Sequence, residues 1–177
     1  KITGLVIERK SRRSYPHSNI AAQIIGFTDV DDKGLIGIEE EYNDQLSGKP
    51  GWVVKQVNGK GRSQYKTSFP MKAPIDGANI QLTIDLEYQS VLQEELNRRM
   101  NEANAKSAMG VLMNPQTGAV LAMASLPSYD PNNPMSSPIE NQKNKIITDQ
   151  FEPGSTYKVV AATAAVATNT VSLYDEF

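Results

Sequence analysis

Phe151-Glu152-Pro153-Gly154-Ser155-Thr156-Tyr157-Lys158 runs directly into Val159-Val160-Ala161-Ala162-Thr163-Ala164-Ala165-Val166-Ala167. Pro153-Gly154 ends the preceding chain, and Ser155 then opens a helix. Residues at i and i+3 share a helical face, so Lys158 Nζ can reach Ser155 Oγ. A serine hydroxyl is a poor nucleophile until a base takes its proton. The start of a helix carries a positive potential that favours developing negative charge. Lysine serves as the base only when desolvation keeps it neutral for part of the time. Val159 to Ala167 is small and apolar on every face, so the spacing predicts a helix over 155–167 that belongs in a core. The ordinary reading of S-x-x-K is a capping serine with an exposed first-turn lysine. Pro-Gly before it and a wholly apolar helix after it favour a buried nucleophile instead. Ser155 is the candidate nucleophile and Lys158 its candidate base, which points to acyl transfer.

Upstream, Ala108–Met113 and Ala119–Ala124 are apolar strands joined by Asn114-Pro115-Gln116-Thr117-Gly118, a hairpin. Pro127 to Pro138 holds four prolines and reads as a loop. Tyr88, Leu92, Leu96 and Met100 recur at i+4 with Glu94, Glu95, Arg98 and Arg99 outward, a long amphipathic helix that Asp85 can cap. Ile80–Ile84 reads as a strand before it. Nearer the start, 2–15 reads as one extended strand and 19–27 as a short helix stopped by Gly26. Leu35, Ile38, Tyr42 and Leu46 fall on one helical face ended by Gly48 and Pro50. Trp52–Val57 and Ser63–Ser68 are strand-like and flank the hairpin turn Asn58-Gly59.

The 177 residues allow one ordinary domain or two small ones. The longest apolar stretch, Val159–Ala167, is nine residues and contains Thr163, which excludes a polytopic membrane protein. Absence of cysteine removes disulfide scaffolds, thiolate metal sites and cysteine nucleophiles. With a single histidine, any Ser-His-Asp triad must use His17, and a multi-His metal site cannot form within one chain. Residues 1–75 carry 12 Lys+Arg against 8 Asp+Glu, and residues 76–177 carry 6 against 12, so the net of -2 hides a basic half and an acidic half. The basic cluster Arg9, Lys10, Arg12 and Arg13 is too sparse, and lacks the interleaved aromatics, for a nucleic-acid site. A start at Lys1 with no Met or apolar leader reads as an internal piece of a longer protein.

Phe151–Lys158 resembles the active-site segment of class B penicillin-binding proteins, the monofunctional D,D-transpeptidases of bacterial cell-wall synthesis. Thr117–Met123 and Ser128-Tyr129-Asp130-Pro131-Asn132 are similar to the hairpin and loop before that segment, and Leu82–Asp85 with Gln89 to the entry into the catalytic domain. Arg13-Ser14-Tyr15-Pro16, with Ala21, Ala22 and Gly26, looks like the family's R-x-Y-P element. Gly34, Gly37-Ile38-Glu39, Tyr42, Leu46, Gly48 and Gly51 look like its G-x-x-G-x-E segment. Both belong to the non-catalytic pedestal, which separates this family from β-lactamases and β-lactam sensors. Gly26-Phe27-Thr28 and the 34–51 stretch resemble the division-specific branch more than the elongation branch.

The resemblance implies an α+β fold: a dimerisation-type pedestal over 1–75, then the N-terminal part of a serine β-lactamase-like transpeptidase domain over 76–177, with an antiparallel sheet and helices. It makes Ser155 the acylated serine and Lys158 its proton acceptor, and Glu39 a salt-bridge partner in the pedestal. It implies peptidoglycan stem peptides as substrates, β-lactams as acylating ligands, other cell-wall or divisome proteins as partners, and no cofactor or metal. The place it implies is the extracytoplasmic face of the bacterial inner membrane, reached through an N-terminal anchor outside this sequence.

Two features depart from the pattern. His17-Ser18 follows Pro16 where the family usually has x-Gly. The S-x-N triplet and K-T-G strand that should follow the S-x-x-K helix do not occur; Lys66-Thr67-Ser68 lies on the wrong side. The alternative for these 177 residues alone is therefore a non-catalytic interaction or scaffold module. The 108–124 hairpin is expected to keep an open edge, and the 155–167 helix to lack part of its covering, so that a second chain or an intermolecular contact must cover that surface. Asp29-Val30-Asp31-Asp32-Lys33-Gly34, with Glu40 twelfth, mimics a calcium loop, but Lys33 stands at a ligand position, so an acidic turn is expected.

Overall fold

Arg12–Tyr15 carries no ladder of its own and leads into a turn over 16–21. The computed structural model describes residues 12–54, 56–57, 59, 63–64, 70–172 and 174–175. The strand expected over 2–15 thus falls mostly outside the described residues, and Arg12–Tyr15 is not a strand. The physical reason is that a side chain satisfies it: Asn132 Oδ1 accepts from Tyr15 N–H at 3.0 Å and Asn132 Nδ2 donates to Tyr15 C=O at 2.9 Å.

Helix α1, Ala22–Ile25, is a single turn that Gly26 closes at φ 80. A Cβ at Gly26 would lie 1.8 Å from the Ile36 carbonyl oxygen, so only glycine fits there. Strand β1, Phe27–Thr28, pairs antiparallel with β2, Gly34–Ile36, and α2, Gly37–Glu41, and α3, Asn43–Leu46, follow. The single helical face expected through Leu35, Ile38, Tyr42 and Leu46 is corrected. Leu35 sits on β2, and the helix breaks at Tyr42, whose φ is -109 and ψ 23. The break lets Asn43 Oδ1 accept the Gly34 N–H at 2.9 Å, tying the start of α3 back to β2.

Strands β3 (Trp52–Val53), β4 (Gln56–Val57), β5 (Ser63–Gln64) and β6 (Met71–Lys72) form two antiparallel pairs, β3 with β6 and β4 with β5. The expected turn position lies between β4 and β5, although Asn58 itself is outside the described residues, as is most of the strand expected over 63–68. Ile80–Ile84 is not a strand. Among the described residues, two bonds join this stretch and the start of the next element to the neighbouring hairpin: Thr83 Oγ1 donates to Val120 C=O at 2.7 Å and Asp85 N–H to Leu121 C=O at 2.8 Å.

Asp85 caps α4, Leu86–Glu102, by accepting from the N–H groups of Glu87 and Tyr88. The buried stripe is displaced from the expected one. Tyr88 is 52% exposed, whereas Gln89 and Gln93 are buried beside half-buried Leu92, Leu96 and Met100. Strands β7, Ala108–Met113, and β8, Val120–Leu126, form the expected hairpin, with Ala122, Ala124 and Leu126 of β8 buried. Gly110 of β7 lets α4 approach, since a Cβ there would meet Leu96 Cδ1 at 3.0 Å and Leu92 Cδ1 at 3.1 Å. Helix α5, Lys145–Thr148, and α6, Lys158–Ala167, complete the chain.

The architecture is α+β, and every described strand pairs antiparallel. The chain divides into two compact units, Lys1–Ile147 and Thr148–Phe177. In the first, Ala22, Phe27 and Tyr129 form a buried cluster against which Tyr15 and Ile36 pack. Among the described residues no helix is long and apolar enough to cross a membrane.

Candidate active site

In the second unit, Ser155 lies within a tight three-residue-per-turn helix over Gly154–Tyr157, and Lys158 begins α6. Gly154 enters this turn at φ 54. Pro153 takes the capping position, its carbonyl accepting from Thr156 N–H at 3.2 Å and from Thr156 Oγ1. Lys158 N–H donates to the carbonyls of Ser155 and Thr156, so nucleophile and base candidates share one turn. Ser155 is therefore inside the turn and not its cap, which leaves its hydroxyl clear of the capping role. Among the described residues no hydrogen bond joins Ser155 Oγ to Lys158 Nζ, and both residues are exposed.

Composition assigns α6 to a core, but within these residues it is left largely uncovered, as expected for the 155–167 helix. Val159 is 69% and Val160 54% exposed, and only Ala165 and Val166 are half-buried. Thr148–Phe177 is too short to wrap an apolar helix on all sides. The desolvation that would make Lys158 a base is thus not supplied within its own unit.

The other motif residues meet in the first unit. Arg13 Nε donates to Glu39 Oε1 at 2.8 Å and Arg13 NH2 to Glu39 Oε2 at 3.1 Å, a two-pronged pair in which Glu39 is only 7% exposed. This hydrogen bond raises the Arg13 pKa above its ordinary value. Glu39 is thus the salt-bridge partner its sequence context implies. Tyr15 Oη accepts from Thr28 N–H at 3.0 Å, and burial raises the Tyr15 pKa. Tyr129 is 2% exposed; its hydroxyl donates to Ala22 C=O at 3.0 Å, its ring meets Phe27 edge-on at 5.9 Å, and burial raises its pKa. Asn132 is held for its clamp on Tyr15 by Asp130, whose Oδ1 accepts from both Asn132 N–H and Nδ2 at 2.9 Å.

Sequence reasoning names Gln89 only within the entry motif and assigns no role to it or to the buried amides of Gln93 and Gln23. Gln89 Nε2 donates to Met123 C=O at 2.9 Å while its Oε1 accepts from Met123 N–H at 2.8 Å, occupying the outer edge of β8. Gln93 Nε2 donates to Asn19 C=O at 3.0 Å, and Gln23 Nε2 to the carbonyls of Ser125 and Asn141, each at 2.9 Å. The available signal was two glutamines at i, i+4 beside an apolar stripe, which a hydrophobic count discards.

The acidic loop is a turn: Asp29 Oδ1 accepts from Asp31 N–H at 2.8 Å and Lys33 N–H at 3.0 Å. Those bonds, Lys33's the larger, hold the Asp29 carboxyl below the usual carboxylate range. Among the described residues no group of three or more His, Cys, Asp or Glu is placed to hold a metal ion. His17 is exposed.

Comparison with known proteins bears on these motifs. A family model for the penicillin-binding protein dimerisation domain matches residues 1–82, and one for the penicillin binding protein transpeptidase domain matches residues 108–177. The peptidoglycan D,D-transpeptidases FtsI of Buchnera aphidicola and Escherichia coli K12 are each 38% identical over 166 residues, 94% of this chain. The chain spans 29% and 28% of the length of those two relatives. Penicillin binding protein 3 from Mycobacterium tuberculosis superimposes with a TM-score of 0.71 at 29% identity, over 93% of this chain and 33% of that one. Both models are of penicillin-binding proteins, they follow one another along most of the sequence, and the Arg13–Glu39 pair and Ser155–Lys158 turn fall one in each; the chain belongs to the class B penicillin-binding proteins.

Proposed function

We propose that this chain is part of a peptidoglycan D,D-transpeptidase, with a pedestal over 1–75 and the N-terminal part of the catalytic domain over 76–177. The observation that carries the reading is the turn holding Ser155 and Lys158 inside the segment matched by the transpeptidase model. Lys158 Nζ takes the Ser155 hydroxyl proton as Oγ attacks the penultimate D-Ala carbonyl of a stem peptide. Collapse of the tetrahedral adduct breaks the peptide bond, the departing D-Ala amine gains a proton, and an ester to Ser155 remains. An amine of a neighbouring strand attacks that ester, forms the cross-link and frees the serine. β-Lactams acylate the same oxygen by opening their ring; the Mycobacterium protein has been crystallised with aztreonam and with ampicillin. The site works at the extracytoplasmic face of the inner membrane, in the division-specific branch, alongside other cell-wall proteins.

The 177 residues alone act as a non-catalytic interaction module, because Lys158 is exposed and S-x-N and K-T-G do not occur among them. Labelling the protein that contains this chain with a fluorescent penicillin, followed by peptide mapping, tests both statements. The label is expected on the Ser155 peptide and is expected to vanish in Ser155→Ala, with no stoichiometric labelling of the 177-residue chain. Label on another serine would overturn the site, and stoichiometric labelling of the short chain would overturn its inactivity.

A further inference from the structure

From Lys49 to Ile75 the sequence holds six Lys and Arg and no Asp or Glu, in a chain whose total charge is -2. This stretch accounts for the basic character of the first 75 residues, which neither the nucleophile turn nor the Arg13–Glu39 pair explains. Its two ends, 49–54 and 70–75, form a two-stranded ribbon. Trp52 stands opposite Lys72 and Val53 opposite Met71, and Lys49 and Ile75 exchange backbone bonds of 2.7 and 2.9 Å. The ribbon does not bury its apolar side chains: Trp52 is 54%, Val53 52%, Met71 75% and Ile75 57% exposed. Lys49 and Lys72 are exposed among them.

Two occupants fit that composition unequally. A protein partner that buried the apolar residues would also desolvate interleaved lysines, which protein interfaces exclude from their centres. A lipid surface accepts both at once. Tryptophan and aliphatic groups settle at the headgroup boundary, while lysine heads remain in water against lipid phosphates. The missing acidic residues remove the repulsion that anionic lipid would otherwise exert. We infer that the ribbon formed by residues 49–54 and 70–75 docks on an anionic phospholipid surface through the face that carries Trp52 and its cross-strand partner Lys72, with Trp52 at headgroup depth, Lys72 on the phosphates and Lys49 adding to the local positive charge. The inference rests on charge and exposure and does not depend on the transpeptidase reading.

Trp52 is the only tryptophan, so its fluorescence reports the ribbon directly. The 177-residue chain would be titrated with phosphatidylcholine vesicles, with and without about a third phosphatidylglycerol, at moderate salt. A blue shift of Trp52 emission and quenching by brominated lipid are expected with the anionic vesicles only. Lys49→Gln with Lys72→Gln is expected to weaken binding about 30-fold. Lys106→Gln with Lys143→Gln removes the same charge elsewhere and is expected to weaken it less than about threefold. No blue shift, equal binding to neutral vesicles, or equal losses in the two double variants would each overturn the inference. A shift produced by a polyglutamate peptide but not by vesicles would overturn it in favour of an acidic protein partner.

Discussion

Glu39 is a buried carboxylate whose charge is tolerable because Arg13 meets it with two parallel donors at 2.8 and 3.1 Å. The Arg13 side chain is 40% exposed, so solvent takes a share of the interaction and the pair is worth less than a fully buried one. Arg13→Ala leaves Glu39 buried and unpaired and is expected to cost about 2 kcal/mol in urea denaturation. Glu39→Gln keeps one acceptor and sheds the charge, so a loss of about 1 kcal/mol is expected. Equal stability of Arg13→Ala and the parent would show that water replaces the arginine without loss. The resemblance marks Glu39 as a salt-bridge partner without naming Arg13; composition alone reads Glu39-Glu40-Glu41 as a solvated acidic run. What separates Glu39 from its neighbours is a partner 26 residues away, which no local pattern encodes.

At the scale of elements, the α4 hairpin layer shows how a side chain can stand in for a strand. Gln89 presents one donor and one acceptor to Met123, as a neighbouring backbone would, and so closes the edge of β8 with an amide. Gln89→Leu is expected to cost about 3 kcal/mol, because Met123 N–H and C=O are then buried without partners. Gln89→Glu separates hydrogen bonding from size: its carboxylate accepts but cannot donate, while its protonated form does both. Its deficit relative to the parent is therefore expected to be smaller at about pH 4 than at about pH 8, by thermal or chemical denaturation. A deficit independent of pH would assign the role of Gln89 to packing. The periodicity of Leu92, Leu96 and Met100 correctly places this helix in the sequence. It overextends to Tyr88 because hydropathy cannot register that two glutamines, satisfied by backbone, occupy the most buried positions.

At the scale of the molecule, contacts tie sequence-distant pieces into the first unit. Gln23 reaches Ser125 and Asn141, Gln93 reaches Asn19, Asn132 clamps Tyr15, and Tyr129 fills the space against Ala22 and Phe27. All but Gln93–Asn19 link residues more than 100 positions apart, so residues 15–27 owe their order to β8 and the loop after it. Tyr129→Phe removes one buried hydrogen bond and keeps the ring, and a loss of about 1 kcal/mol is expected. The readout is amide hydrogen exchange: faster exchange is expected at Ala22–Thr28 as well as beside Tyr129. Exchange that changes only beside Tyr129 would mean the two segments hold their order separately.

The sequence by itself determined the 108–124 hairpin and the Asp85-capped helix, while its resemblance to the family marked Glu39 as a salt-bridge partner and Ser155 with Lys158 as the site to test. The hairpin and the helix rest on spacing, capping or turn chemistry acting within a few residues. Only the tertiary structure decided that residues 80–84 lie beside β8 without becoming a strand, and that the 35–46 helix breaks at Tyr42. It also decided that α6 stands exposed in its own unit and that amides seal the sheet edge and hold residues 12–15. Those outcomes depend on where a buried N–H or C=O finds its partner and how much chain surrounds an apolar face. Both are set by residues far away in sequence.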